Sequence, residues 1–133
     1  MVYGIGIDIE THNRFQKYLN ADGKPDDFLV SVFSENELNN YRNYPGHLCY
    51  ALSFSCKEAF FKAFGRDWGD ACMWLDIELL FDDVPGLKKA RVEFGGRAKD
   101  IALSEGISLP PEFDYSMDEH QVIFKALLRC KKD

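Results

Sequence analysis

The chain opens on an alternating pattern. In "VYGIGIDIE", Ile5, Ile7 and Ile9 interleave with Gly6, Asp8 and Glu10. This period of two among β-branched residues predicts a buried strand over Val2–Ile9. On such a strand the two carboxylates project from the face opposite the isoleucines, about 7 Å apart.

The period then lengthens. Asn13–Leu19 and Asp26–Phe33 predict short helical segments on either side of the turn "NADGKP". Ser34-Glu35-Asn36-Glu37 has the form of a capping box, which starts a helix near Glu35 that runs to Asn43 and stops at Pro45-Gly46. From His47 to Phe64 there is neither Pro nor Gly, and Leu48, Ala51, Leu52, Ser55, Ala59 and Ala63 recur at spacings of three and four. That spacing predicts a long helix packed around much of its circumference, with Gly65 as its C-terminal cap. Cys72–Phe81 and Lys88–Phe94 read as strands of a hairpin turned by "DDVPG". Arg97–Ser104 reads as a helix ending at Gly106, and Glu112–Met117 and Gln121–Arg129 as a final strand pair joined by "DEH". The order of elements predicts an α+β fold with grouped antiparallel strands and helices to one side.

Composition narrows the function. The 133 residues make a single expected domain, residues 1–133, with 46% hydrophobic and 29% charged residues, well outside disordered composition. A net charge of −6 without a dense Lys/Arg footprint argues against a nucleic-acid partner. No stretch approaches a membrane span, and no basic segment followed by an apolar run opens the chain. Cys49, Cys56, Cys72 and Cys130 contain no C-x-x-C pair and are expected to be buried free thiols of a reducing compartment. The expectation is a soluble cytoplasmic protein.

The candidate chemistry lies in two stretches. Gly4-Ile5-Gly6 lacks the third small residue of a dinucleotide loop, so its glycines serve close packing against the strand. If the long helix crosses the polar face of that strand, Asp8, Glu10 and Glu58 meet. Two unit charges about 4 Å apart repel by about 4 kcal/mol at an effective dielectric of 20, so a cation must compensate. An all-oxygen set suits a hard divalent ion such as Mg²⁺, which also accepts phosphate oxygens. Lys62, four residues after Glu58, shares its helix face, and Lys57 adds a second ammonium for phosphate. Spacing alone leaves other readings open: a surface ion pair for Glu58 and Lys62, and a solvated edge for Asp8 and Glu10. His12, His47 and His120 are dispersed along the chain. His12 could reach a site at Glu10, and surface or turn positions are expected of all three.

"GIGIDIE" (Gly4–Glu10), "FSENEL" (Phe33–Leu38) and "SFSCKEAFFKAFG" (Ser53–Gly65) resemble, in order and spacing, the 4′-phosphopantetheinyl transferases, at the length of the small holo-acyl-carrier-protein synthase type. The resemblance implies that family's fold, an antiparallel sheet with a long helix packed against it, assembled as a homotrimer with active sites between subunits. It implies transfer of the 4′-phosphopantetheine arm of coenzyme A to a serine of an apo acyl or peptidyl carrier protein, as in fatty acid biosynthesis, releasing adenosine 3′,5′-bisphosphate. By motif match, Asp8 and Glu58 would bind Mg²⁺. Glu10, which extends the motif to D-x-E as in the surfactin-synthetase type, would be a third ligand. Glu58 and Lys62 would be catalytic, with Glu58 a candidate base. Lys57 and Lys62 would neutralise coenzyme A phosphates, with Gly65, Arg66 and Lys89 in the coenzyme-binding region. Arg14, Lys17 and Lys24 would meet an acidic carrier protein. Members of this length often carry arginine where this chain has Ser53. The alternative to a transferase is a non-catalytic module that binds coenzyme A or a carrier protein on the same fold. A metal-dependent hydrolase of the pyrophosphate bond is a third class.

Overall fold

The computed structural model describes residues 1–19, 26–44, 47–65, 74–82 and 87–131. In chain order the strands are β1 (Val2–Thr11), β2 (Ile77–Phe81), β3 (Ala90–Phe94), β4 (Glu112–Met117) and β5 (Gln121–Arg129). The helices are α1 (Asp27–Val32), α2 (Glu35–Tyr41), α3 (Leu48–Phe64) and α4 (Gly96–Ser104). β1, β5 and β4 form an antiparallel sheet in that order, and β2 and β3 form a separate hairpin. The α+β expectation holds, with two small sheets sharing one helix: α3 packs along β1 and β5 and also touches β2. No described helix is long and apolar enough to cross a membrane.

Fourteen of the 17 residues of α3 are buried, so this helix is the axis of the core. Aromatic rings close around it. Phe54 stacks on Trp74 at 5.0 Å, Phe60 meets Phe94 at 5.2 Å, and Phe33 meets Tyr50 at 5.3 Å. Gly65, at φ 72°, ends the helix in the left-handed conformation that glycine adopts without penalty. The capping box on α2 forms in full. The Ser34 hydroxyl accepts from the Glu37 amide, and the Glu37 carboxylate accepts from the Ser34 amide.

β1 lies directly against α3 because it carries glycine there. A Cβ on Gly4 would fall 1.8 Å from the Ala63 carbonyl oxygen, and one on Gly6 would fall 1.8 Å from that of Ala59. The expected close packing at these glycines is therefore a backbone-to-backbone contact. In register with β5, Gly6 faces Ala126, Asp8 faces Phe124 and Glu10 faces Val122, so the carboxylates continue the face that meets the helix.

The isoleucines point the other way and are exposed: Ile5 by 62%, Ile7 by 50% and Ile9 by 53%. The buried side of the strand is thus its glycine and carboxylate side, since only glycine admits the helix. Most expected elements lie within two residues of prediction, and two are shorter by more. Asn13–Leu19 contracts to a 3₁₀ turn at Gln16–Tyr18, anchored by Phe15, packed on Phe54 at 5.2 Å, and by Tyr18, packed on Phe28 at 4.6 Å. The strand expected over Cys72–Phe81 starts at Ile77, because residues 74–76 form a helical turn. Cys72 lies outside the described residues. Cys49 and Cys56 are buried free thiols, and Cys130 is a half-buried one.

Candidate functional site

The charges of α3 leave the helix in two directions, as a turn of about 100° per residue requires. Ser55, Glu58 and Lys62 lie three and four residues apart and face β1. Ser53 and Lys57, also four apart, face α2 and β2.

On the β1 side, Asp8, Glu10 and Glu58 each offer a carboxylate oxygen, all within 4.8 Å of one another, with Asp8 and Glu10 buried and Glu58 half-buried. The Ser55 hydroxyl holds Asp8 by its Oδ2 and its carbonyl oxygen, both at 3.0 Å. Lys62 donates to the Ile7 carbonyl at 2.8 Å and lies 3.4 Å from Asp8 Oδ1. Its side chain remains 55% exposed, free to turn outward. Arg14 Nη1 donates to Glu10 Oε2 at 2.6 Å, and its guanidinium lies over the Phe54 ring at 4.7 Å. Burial, a hydrogen bond to Asp8 and the charges of Asp8 and Glu10 push the Glu58 carboxyl up to about 8, against a smaller pull downward from Arg14.

Three converging carboxylates, two of them shielded from water, one driven to hold a proton, fit a hard divalent cation. The residues expected to meet there do so: Asp8, Glu10, Glu58 and Lys62 share one site. Gly65 is exposed one turn beyond Lys62, and Lys89 is exposed just before β3. Arg66 and Lys24 lie outside the described residues. Of the residues expected to meet a carrier protein, Arg14 is drawn into the carboxylate site, and Lys17 stays exposed with its ammonium 5.1 Å from the Tyr18 ring centre. His12 packs edge-on to His47 at 5.9 Å.

Lys57 is a correction. Expected to neutralise phosphate, it is fully buried on the opposite flank. Its ammonium donates to Glu37 Oε1 at 2.7 Å, to the Trp74 carbonyl at 2.7 Å and to the Ile77 carbonyl at 2.5 Å. An ammonium has three donors, and all three are used. Glu37 is equally committed: besides Lys57 it accepts from the Ser34 amide (3.1 Å), the Ser53 hydroxyl (2.6 Å) and the Leu79 amide (3.0 Å), with the Tyr41 hydroxyl 3.0 Å away. Ser53 is thus a buried partner of Glu37. The capping box predicts only a helix cap at Glu37; the four-residue spacing of Ser53 and Lys57 is the signal of a second polar face on α3.

The family model of the 4′-phosphopantetheinyl transferase superfamily matches residues 4–122. The chain belongs to that superfamily. It is similar to the holo-[acyl-carrier-protein] synthase of Ligilactobacillus salivarius (strain UCC118), 36% identical over 122 residues that cover 90% of this chain and 85% of that protein. Among solved structures it is similar to the holo-(acyl-carrier-protein) synthase of Bacillus anthracis in complex with CoA (3′,5′-ADP), with 27% identity, a TM-score of 0.72 and coverage of 98% of this chain and 99% of that one. The holo-ACP-synthase of Plasmodium yoelii is comparable, at 26% identity, a TM-score of 0.73 and coverage of 99% and 98%.

Proposed function

We propose that this chain transfers the 4′-phosphopantetheine moiety of coenzyme A to a serine of an apo acyl carrier protein, with Asp8, Glu10 and Glu58 holding Mg²⁺. The observation that carries this reading is the convergence of the three carboxylates beside the half-exposed Lys62. The family and the name of the Ligilactobacillus salivarius relative support it.

In the reaction, the serine oxygen bonds to the phosphorus that bears the pantetheine arm. The bridging P–O bond breaks, and its electron pair leaves with adenosine 3′,5′-bisphosphate. Mg²⁺ would supply charge neutralisation at the pyrophosphate oxygens. Lys62 swings from the Ile7 carbonyl to the oxygens of the transferred phosphoryl group, where its charge offsets the charge that develops. Glu58, freed of its own proton when the cation binds, is the candidate base for the serine proton. Gly65 and Lys89 are assigned to the nucleotide and Lys17 to the acidic carrier. Lys57 takes no part in phosphate binding.

The outer face of the β1–β5–β4 sheet supports assembly. Ile5, Ile7 and Ile9 stand opposite Leu127, Lys125 and Ile123 in register, leaving a largely apolar face and a shallow cavity of about 340 Å³ lined by Ile5, Ile7, Phe113 and Leu127 with Glu112, Asp114 and Lys125 among them. An apolar face of this kind marks an interaction site, and a homotrimer of this chain is its proposed occupant. The free thiols Cys49, Cys56 and Cys130 suit a cytoplasmic location.

Incubation with apo acyl carrier protein, coenzyme A and Mg²⁺ adds one phosphopantetheinyl mass to the carrier in an intact-mass assay. Asp8→Ala lowers the rate at least about a hundredfold, as loss of a group acting in the transition state does. Wild-type protein that binds coenzyme A but leaves several carriers unmodified would instead identify a binding module. Coenzyme A cleavage without a carrier would identify a hydrolase.

A further inference from the structure

The carboxylate site is only partly balanced by its own side chains, and Arg14 and Lys62 differ in how they are held. Lys62 makes one bond to a main-chain oxygen and a longer contact to Asp8. Arg14 is committed: its Nη1 lies 2.6 Å from Glu10 Oε2, and its guanidinium carbon lies 4.7 Å from the Phe54 ring centre and 5.5 Å from that of Phe15. Two aromatic rings hold the guanidinium in place, and its Nη1 points at a carboxylate that is also one of the three candidate ligands.

A carboxylate bound to a divalent ion places its oxygen about 2.1 Å from the metal. The guanidinium already occupies Oε2 of Glu10 and lies within the field of Glu58 as well, which is the position of a stand-in for the metal's charge. A second cation arriving there meets both a ligand already engaged and a like charge.

We propose that Arg14 is a resident counter-ion that competes with the divalent cation for Glu10, and so sets the metal affinity of the site. When the metal takes Glu10, the guanidinium stays over Phe54 with its donors released at the rim. This inference rests on the metal reading above and adds that the affinity for metal is held down by a residue that is not a ligand.

Calorimetric titration of Mn²⁺ and of Mg²⁺ into the metal-free full-length protein tests it. Arg14→Gln is expected to tighten binding about fivefold or more, and Arg14→Lys, which keeps the charge but loses the fork, by less. In a Glu10→Gln background the Arg14→Gln change should leave affinity within about twofold, because the competition has lost its object. Should Arg14→Gln not fold, as judged by circular dichroism, the Lys variant carries the test with the same sign. Weaker or unchanged metal binding in the Arg14 variants overturns the inference, since a residue that orients Glu10 for the metal would lose affinity when removed. An equal gain in the Glu10→Gln background also overturns it, because that is through-space repulsion without competition. Wild-type protein that takes up neither ion removes the metal reading itself, an outcome distinct from a wild-type isotherm that the Arg14 variants reproduce.

Discussion

Two carboxylate centres flank α3, and they differ in how their charge is met. Around Glu37 every partner is in place: an ammonium, two amides and two hydroxyls converge on one carboxylate, and Lys57 gives its remaining protons to two carbonyls. Around Asp8 the balance is loose. Among the described residues three carboxylates face two cations, one of which is more than half exposed, and burial with the charges of Asp8 and Glu10 pushes Glu58 toward holding a proton. A saturated centre has no capacity left for a ligand and acts as a clamp between α2, α3 and β2. An undersaturated one stores repulsion that a ligand can relieve, and that is the mark of the functional centre.

The comparison breaks most visibly at Lys57. Removing one partner of a fully buried pair leaves the other charged and unsolvated, a cost of about 3–5 kcal/mol, which is a large part of the total stability of a domain this size. Lys57→Ala is therefore expected to lower the urea midpoint sharply, with residual transfer activity following the folded fraction. Lys62→Ala should change stability by less than about 1 kcal/mol while activity falls, since its side chain is more than half exposed. A Lys57→Ala protein of normal stability with no activity would return Lys57 to the phosphate site and dissolve the contrast.

A smaller effect tests why the second centre exists at all. Gly6 brings β1 against the Ala59 carbonyl, and that approach lets Glu58 reach Asp8 across the strand. In Gly6→Ala the added Cβ meets backbone at 1.8 Å, so the helix must move away. Overpacking of this kind costs about 1–3 kcal/mol. Spreading the ligand atoms should weaken Mn²⁺ binding by tenfold or more, while the Glu37 clamp on the far side stays intact. Unchanged metal affinity in a folded Gly6→Ala protein would show that the glycines serve stability alone.

Much of this was legible in the chain. The period-two run placed Asp8 and Glu10 on one face, and the absence of Pro and Gly from His47 to Phe64 marked the helix they meet. Gly4 and Gly6 stand on that same face, which was the clue to which side of the strand is covered; alternation by itself cannot say, and the isoleucines that look like core lie outside. The direction of Lys57 was hidden by reading it with its neighbour Glu58. Adjacent helical residues point about 100° apart, so one of the two had to face elsewhere. Its partner could not be read from sequence, because the Ser34–Glu37 capping box explains Glu37 locally and says nothing of the buried contacts to Ser53, Lys57 and Leu79. The shortened strand before Ile77 has the same origin, since Lys57 draws the Trp74 and Ile77 carbonyls toward itself.

The smallest expected effect is the dependence of stability on pH in metal-free protein. The Glu58 carboxyl is raised from 4.5 to about 8 by burial and by Asp8 and Glu10. Below pH 4.5 both folded and unfolded chains carry the proton. Between 4.5 and about 8 the folded chain keeps it while the unfolded chain has lost it, so the folded state binds more protons and stability falls as pH rises. Above about 8 the loss is complete. His47, lowered by burial and by His12, acts in the opposite sense below pH 6.5, so the cleanest reading is the difference from Glu58→Gln, which keeps the histidines and loses the carboxylate. In EDTA, melting temperatures between pH 6.5 and 8.5 should fall by a few degrees more for wild type than for Glu58→Gln, a modest shift because water screens the half-exposed group. Saturating Mg²⁺ should remove the difference, since the ion takes over from the proton. Parallel curves for the two proteins in EDTA would mean that Glu58 ionises without strain, and the contrast between a saturated and an undersaturated centre would lose its electrostatic basis.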